Sequence, residues 1–222
     1  MTTQFFGLAV SYLFVFGILG FAGLLLRTGL VSSFTSRKIV HIGVSHWWFI
    51  AVYFFEHTFI AVIGPLSFVA LNYISYRKHL FAAMEDPEHE KNLGTVYFPI
   101  ALLILVLWSW AGELSFTQGG VAMAALGYGD GLAALAGRKL GHTSFQAPGG
   151  HKTFVGVAVM MVAVFSVSAF LIAGANTGAP VLLTAGIIAL VATSTEIMTP
   201  WGLDNLTIPL VTAMVTRVVL PL

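Results

Sequence analysis

The sequence predicts an all-α polytopic membrane protein, a bundle of seven or eight transmembrane helices with its N-terminus outside. Three observations carry that expectation. Of 222 residues, 58% are hydrophobic and 9% charged, whereas an ordinary soluble domain carries roughly 25% charged residues. Apolar stretches of about 20 residues, the length a spanning helix requires, follow one another with short interruptions. Finally, nine of the ten Lys and Arg residues fall in alternate connections, which the positive-inside rule assigns to the cytoplasm.

The first span is expected over 4–26. Its start lacks a basic region, and Phe21 to Leu26 run on without a small-residue cleavage site, so it reads as a helix and not as a cleavable signal. Arg27, Arg37 and Lys38 precede a second span over 39–55, and Glu56 and His57 turn the chain outside into a third over 58–76. Arg77, Lys78, Lys91 and the acidic run Glu85, Asp86, Glu88 and Glu90 read as a solvated inner loop before span four, 95–112. Glu113 marks the next outer turn, ahead of span five over 115–137. Arg138, Lys139 and Lys152 then occupy an inner connection, followed by spans over 153–174 and 179–198. Pro200 and Gly202 break the helix before a last segment, 205–221, which carries Pro209 and Arg217. No soluble domain or repeat stands out, so 1–222 reads as one integral-membrane domain with its chemistry on inner loops and helix ends from about 36 to 209.

Several function classes are excluded. With no cysteine there is no thiolate metal site and no thiol nucleophile. A net charge of +1 leaves no basic surface for nucleic acid. His151 precedes Lys152 where a P-loop needs glycine. Gly127-Tyr128-Gly129-Asp130-Gly131-Leu132 lacks the last glycine of a dinucleotide fingerprint and lies in a helical context. No Ser-His-Asp order or His-Glu-x-x-His spacing competes.

Ionisable groups near lipid are costly, so their one-sided clustering marks a candidate site. Arg37, Lys38 and His41 share a helical face by their spacing of three and four; flanking charge with a snorkelling His is the structural alternative. Asn92, before Gly94-Thr95-Val96-Tyr97-Phe98, reads as a helix cap or a ligand. From Gly119 to Gly137, twelve of nineteen residues are Gly or Ala, and Gly127 and Gly131 have GxxxG spacing, the marks of a helix packed closely in the bundle. Asp130 lies about 12 Å along that helix from Arg138, deep enough to require a cation, whether a metal ion or a Lys or Arg side chain. Gly149-Gly150-His151-Lys152-Thr153 leads into span six, where free N–H groups at a helix start, Lys152 and Thr153 suit an anion. Glu196, Asp204 and Asn205 border the Pro200–Gly202 break. Hard carboxylate oxygens suit Mg²⁺ that bridges substrate phosphates, while Asp204 or Asn205 as a cap is the structural alternative. Cations for a polyphosphate and carboxylates for a metal, beside lipid, point to phosphoryl transfer.

Arg37-Lys38-x-x-His41, Gly94-Thr95-x-Tyr97-Phe98, Gly129-Asp130-x-x-Ala133-x-x-x-Gly137-Arg138, Lys152-Thr153-x-x-Gly156, Glu196 and Gly202-x-Asp204-Asn205 occur in one order. That ordered set resembles the CTP-dependent lipid kinases, which include phytol kinase, dolichol kinase and yeast-type diacylglycerol kinase. The resemblance runs from about Arg37 to Pro209, and the short length is most similar to the phytol and polyprenol branch. It implies CTP as phosphoryl donor, Mg²⁺, and a membrane-dissolved isoprenoid alcohol as acceptor, at the cytoplasmic face. On that pattern Asp130, Glu196 and Asp204 are the expected metal ligands. Arg37, Lys38, Asn92, Arg138, Lys139, Lys152, Thr153 and Asn205 are expected at the nucleotide, and Asp130 or His41 at the alcohol proton. Three rivals remain: a CTP:phosphatidate cytidylyltransferase-like enzyme, a diacylglycerol kinase that uses CTP, and a transporter or lipid-binding protein that uses its charges for ion coupling.

Overall fold

The computed structural model describes residues 2–78, 80, 93–200 and 202–220. Helix α1 (Thr2–Arg27) is long and apolar, with Arg27 in its last turn. Ser32 caps α2 (Ser33–Ser45) by accepting from the Thr35 N–H. A break at His46 separates α2 from α3 (Trp47–Phe54), and the short α4 (Thr58–Ala61) leads into α5 (Ile63–Lys78). Helix α6 (Gly94–Trp110) carries Pro99 in its interior. A capping box of Ser115 and Gln118 starts α7 (Phe116–Ala124). The chain then widens into a π-helical stretch, Ala125–Asp130, and returns to α-helix in α8 (Gly131–Leu140). Strands β1 (Ser144–Ala147) and β2 (Gly150–Thr153) pair antiparallel, Ser144 opposite Thr153 and Ala147 opposite Gly150. Helices α9 (Phe154–Gly174), α10 (Val181–Met198) and α11 (Asp204–Val219) complete the order.

The expected all-α architecture is present, with the hairpin as an addition. Among the described residues, four helical segments are long and apolar enough to cross a membrane: Thr2–Arg27, Thr58–Lys78, Phe154–Gly174 and Val181–Met198. The other expected spans coincide with shorter or interrupted helices. Gly94–Trp110 is apolar but has 17 residues, 39–55 is divided at His46, and 115–137 contains the π-helical stretch. Large apolar side chains face outward on several helices, with Leu13, Phe170 and Val218 each at least 75% exposed, as expected of surfaces that meet hydrocarbon.

The small-residue segment lies at the centre. A Cβ at Gly127 would overlap Ser45 Oγ, and one at Gly131 would overlap Ile42, so the GxxxG edge is where α2 approaches. A Cβ at Gly129 would stand 2.6 Å from Val164 on α9. Close approach on both sides brings the polar start of α2 and the polar start of α9 to the same end of the central helix.

Candidate active site

Asp130 ends the π-helical stretch and is buried. The wider turn breaks the ordinary ladder of hydrogen bonds, a geometry often found at functional sites, and here it presents a carboxylate and a carbonyl to α2. Lys38 Nζ donates to Asp130 Oδ2 at 2.6 Å. His41 Nε2 lies 3.3 Å from the same oxygen and 3.0 Å from the Leu126 carbonyl oxygen. A carbonyl only accepts, so Nε2 carries a hydrogen in that contact. One turn deeper, at the break between α2 and α3, His46 Nδ1 donates to the Ile42 carbonyl at 2.9 Å and Nε2 accepts from the Tyr128 hydroxyl at 2.5 Å. His41 thus sets α2 against both ends of the Leu126–Asp130 turn, and His46 fastens it to the middle.

The hairpin supplies the opposite wall. A Cβ at Gly149 would lie 2.6 Å from the Ile197 carbonyl oxygen, and the Gly149 N–H donates to that oxygen at 2.9 Å. This ties the hairpin tip to the end of α10, where Lys152 forms an ion pair with Glu196. Thr153 accepts from the Gly156 N–H at 3.0 Å and caps α9. The glycine-rich segment is therefore a strand pair closed by a helix cap, so its anion-binding potential rests on Lys152 and the start of α9. Across the site, Asp204 Oδ1 accepts from the Asn205 backbone and side-chain N–H groups, each at 2.9 Å. Asp204 is within electrostatic reach of Asp130, Lys38 and Lys152.

One cavity of about 730 Å³ joins these groups. Its polar end is lined by Arg37, Lys38, His41, Asp130, Arg138, Lys152, Thr153, Glu196, Asp204 and Asn205. Its other end is lined by apolar residues of α1, α3, α5 and α6, among them Leu19, Trp47, Phe68 and Leu102. Of the residues singled out in the sequence, Lys139 is exposed on the last turn of α8 and is not among the lining residues, and Asn92 lies outside the described residues. Asp130 has Lys38 and His41 as its direct partners, in place of the nearer-in-sequence Arg138.

Sequence reasoning passed over three contributors. Phe34 lies beneath both arginines, with the Arg138 guanidinium 4.5 Å and that of Arg37 5.8 Å from its ring centroid, a cation–π platform. Asn72, a buried amide within an apolar helix, donates to the Thr95 carbonyl at 2.7 Å and joins α5 to α6 at the cavity wall; a lone Asn in a span is itself the signal. The third is the His46–Tyr128 pair.

Among the described residues, no group of three or more His, Cys, Asp or Glu side chains is arranged to hold a metal. Asp130 and Asp204 do face one cavity, and one or two carboxylates completed by substrate phosphates and water is the usual way Mg²⁺ is held. The two carboxylates are a donor set that fits such an ion. Asp130 and Glu196 are each also paired with a lysine, Lys38 and Lys152 respectively.

No protein-family model matches the chain, and no solved structure does. Over 210 residues it is 30% identical to the phytol kinase of Synechocystis sp., an alignment covering 94% of this chain and 88% of that protein.

Proposed function

The chain belongs to the phytol kinase family, and from that premise we propose that it phosphorylates an isoprenoid alcohol dissolved in the membrane. One observation carries the reading: a single cavity has a cation-and-carboxylate end and an apolar end. A polyphosphate and a hydrocarbon chain need those two surroundings, and a phosphoryl transfer needs them to meet.

In the proposed reaction the alcohol oxygen forms a bond to the γ-phosphorus, the bond to the β–γ bridging oxygen breaks, and the alcohol proton passes to a protein carboxylate. The products are the isoprenoid monophosphate and a nucleoside diphosphate. Asp130 is the candidate acceptor of that proton, since the Nε2 hydrogen of His41 is directed at the Leu126 carbonyl; His41 Nε2 lies 3.3 Å from the carboxylate and contributes to its surroundings. Lys38, Lys152, Arg37 and Arg138 surround the phosphates with positive charge. Mg²⁺ held by Asp130 and Asp204 would neutralise phosphate charge. CTP as the donor rests on the motif resemblance. The clustering of nine of ten cations in alternate connections supports seven or eight crossings, an outside N-terminus and a site at the cytoplasmic face.

The test is to incubate purified protein and Mg²⁺ with a lipid panel of isoprenoid alcohols, diacylglycerol and phosphatidate, and with CTP labelled at either the α or the γ phosphate. Label from the γ position on a phytol-type alcohol is the expected result. Transfer from the α position indicates a cytidylyltransferase, and no transfer with any lipid overturns the enzyme reading.

A further inference from the structure

The cavity lining grades from polar to apolar along three separate helical paths. On α2 and into α3 the sequence is Lys38, His41, Val44, Trp47; on α5 it is Tyr76, Asn72, Phe68, Gly64; on α6 it is Thr95, Phe98, Leu102. At a rise of 1.5 Å per residue, the path from Lys38 to Trp47 is about 13 Å and that from Tyr76 to Gly64 about 18 Å. One further turn in, Ala51, Ala61 and Leu105 are fully buried core residues. The deep end is therefore closed, and Trp47 is the largest side chain at the closure. Its indole is 3% exposed, tilted against Phe55 with ring centroids 6.2 Å apart. A Cβ at Gly64 would stand 3.1 Å from Trp47 Cζ2, so the ring already fills the space to α5.

We propose that Trp47 is the floor of an acceptor-chain compartment and limits the length of isoprenoid alcohol that enters it. The inference rests on the lipid-kinase reading above. With the hydroxyl at Asp130, the chain runs down between α3, α5 and α6, and its far end meets the indole. Removal of the ring deepens the compartment; bulk added at Leu102, on the facing helix, shortens it.

The experiment compares kcat/KM for farnesol, geranylgeraniol, phytol and longer polyprenols in the full-length protein and in Trp47→Ala, Trp47→Phe and Leu102→Trp. The expected result is a rise of roughly tenfold in the long-to-short preference for Trp47→Ala, a smaller rise for Trp47→Phe, and a fall of roughly tenfold for Leu102→Trp. Identical length profiles in variants that remain active overturn the proposal. If Trp47→Ala does not fold, Leu102→Trp decides alone. If the wild-type protein phosphorylates no alcohol, the kinase reading fails separately. Crosslinking by a diazirine-bearing isoprenoid alcohol then judges the compartment: label on 44–47 and 98–102 supports it, and label confined to outward-facing residues overturns it.

Discussion

Lys38 Nζ lies 2.6 Å from Asp130 Oδ2, a contact between residues 92 positions apart that sets the head of α2 against the end of the π-helical turn. On the proposed reaction the pair would combine two charges that phosphoryl transfer needs, one for phosphate and one for the metal or the alcohol proton.

Asp130→Asn should reduce γ-phosphoryl transfer by at least about a hundredfold, the scale of a lost proton acceptor. The amide still accepts a hydrogen bond from Lys38, but the half-buried ammonium loses its counter-charge, so the thermal midpoint should fall. The double variant Lys38→Met with Asp130→Asn should recover the midpoint, because removing both partners of a buried pair is often close to neutral. Transfer should remain absent. A double variant with restored activity would remove Asp130 from the chemistry.

Glu196→Gln should act through Lys152, its ion-pair partner. The expected change is a several-fold higher KM for CTP with kcat little altered and the Mg²⁺ dependence unmoved. A shift in the Mg²⁺ concentration that gives half-maximal rate would instead place Glu196 among the metal ligands. Titration of Mg²⁺ at fixed CTP distinguishes the two.

Phe34→Ala should raise the KM for CTP about two- to fivefold, the equivalent of roughly 0.5–1 kcal/mol, the scale of an exposed cation–π contact. Phe34→Tyr keeps a ring face and should stay near wild type. Initial rates against CTP concentration check both.

Gly127→Ala should destabilise the protein by about 1–3 kcal/mol, the usual cost of overpacking, because the added methyl overlaps Ser45. Ser45→Gly in the same chain removes the obstacle and should return most of the loss. Thermal unfolding in detergent reads the stability, and activity should follow, since the two helices carry Lys38 and Asp130.

Much of this site was legible in the sequence because its cost in a membrane made it conspicuous. Asp130, Arg37, Lys38, His41, Lys152, Glu196, Asp204 and Asn205 all line one cavity. Gly127 and Gly131 gave away the close approach of a neighbour, though not its identity. Pairing was harder to read. Asp130 is eight residues from Arg138, yet its partner comes from α2, since the π-helical turn directs the carboxylate there. The break at His46 left no trace in hydropathy, because neither Pro nor Gly produces it. The Pro148-Gly149-Gly150 turn was a hairpin signal obscured by short strands of mixed polarity. Phe34 and Trp47 looked like ordinary apolar residues in apolar surroundings; what sets them apart is what they touch.

The π-helical stretch also bears on how this chain can change over generations. A π-helical turn holds about one residue more than an α-turn, so loss of one residue between Ala125 and Asp130 would close it into an unbroken α-helix while α8 kept its face. The Leu126 carbonyl, which the wide turn leaves to His41, would be taken up by the helix ladder, while hydropathy and membrane insertion stayed almost the same. Substitutions in this segment are judged one side chain at a time. A deletion would remove the wide turn and its contact with His41 in a single event, so the length of Ala125–Asp130 should be more strictly inherited than its letters.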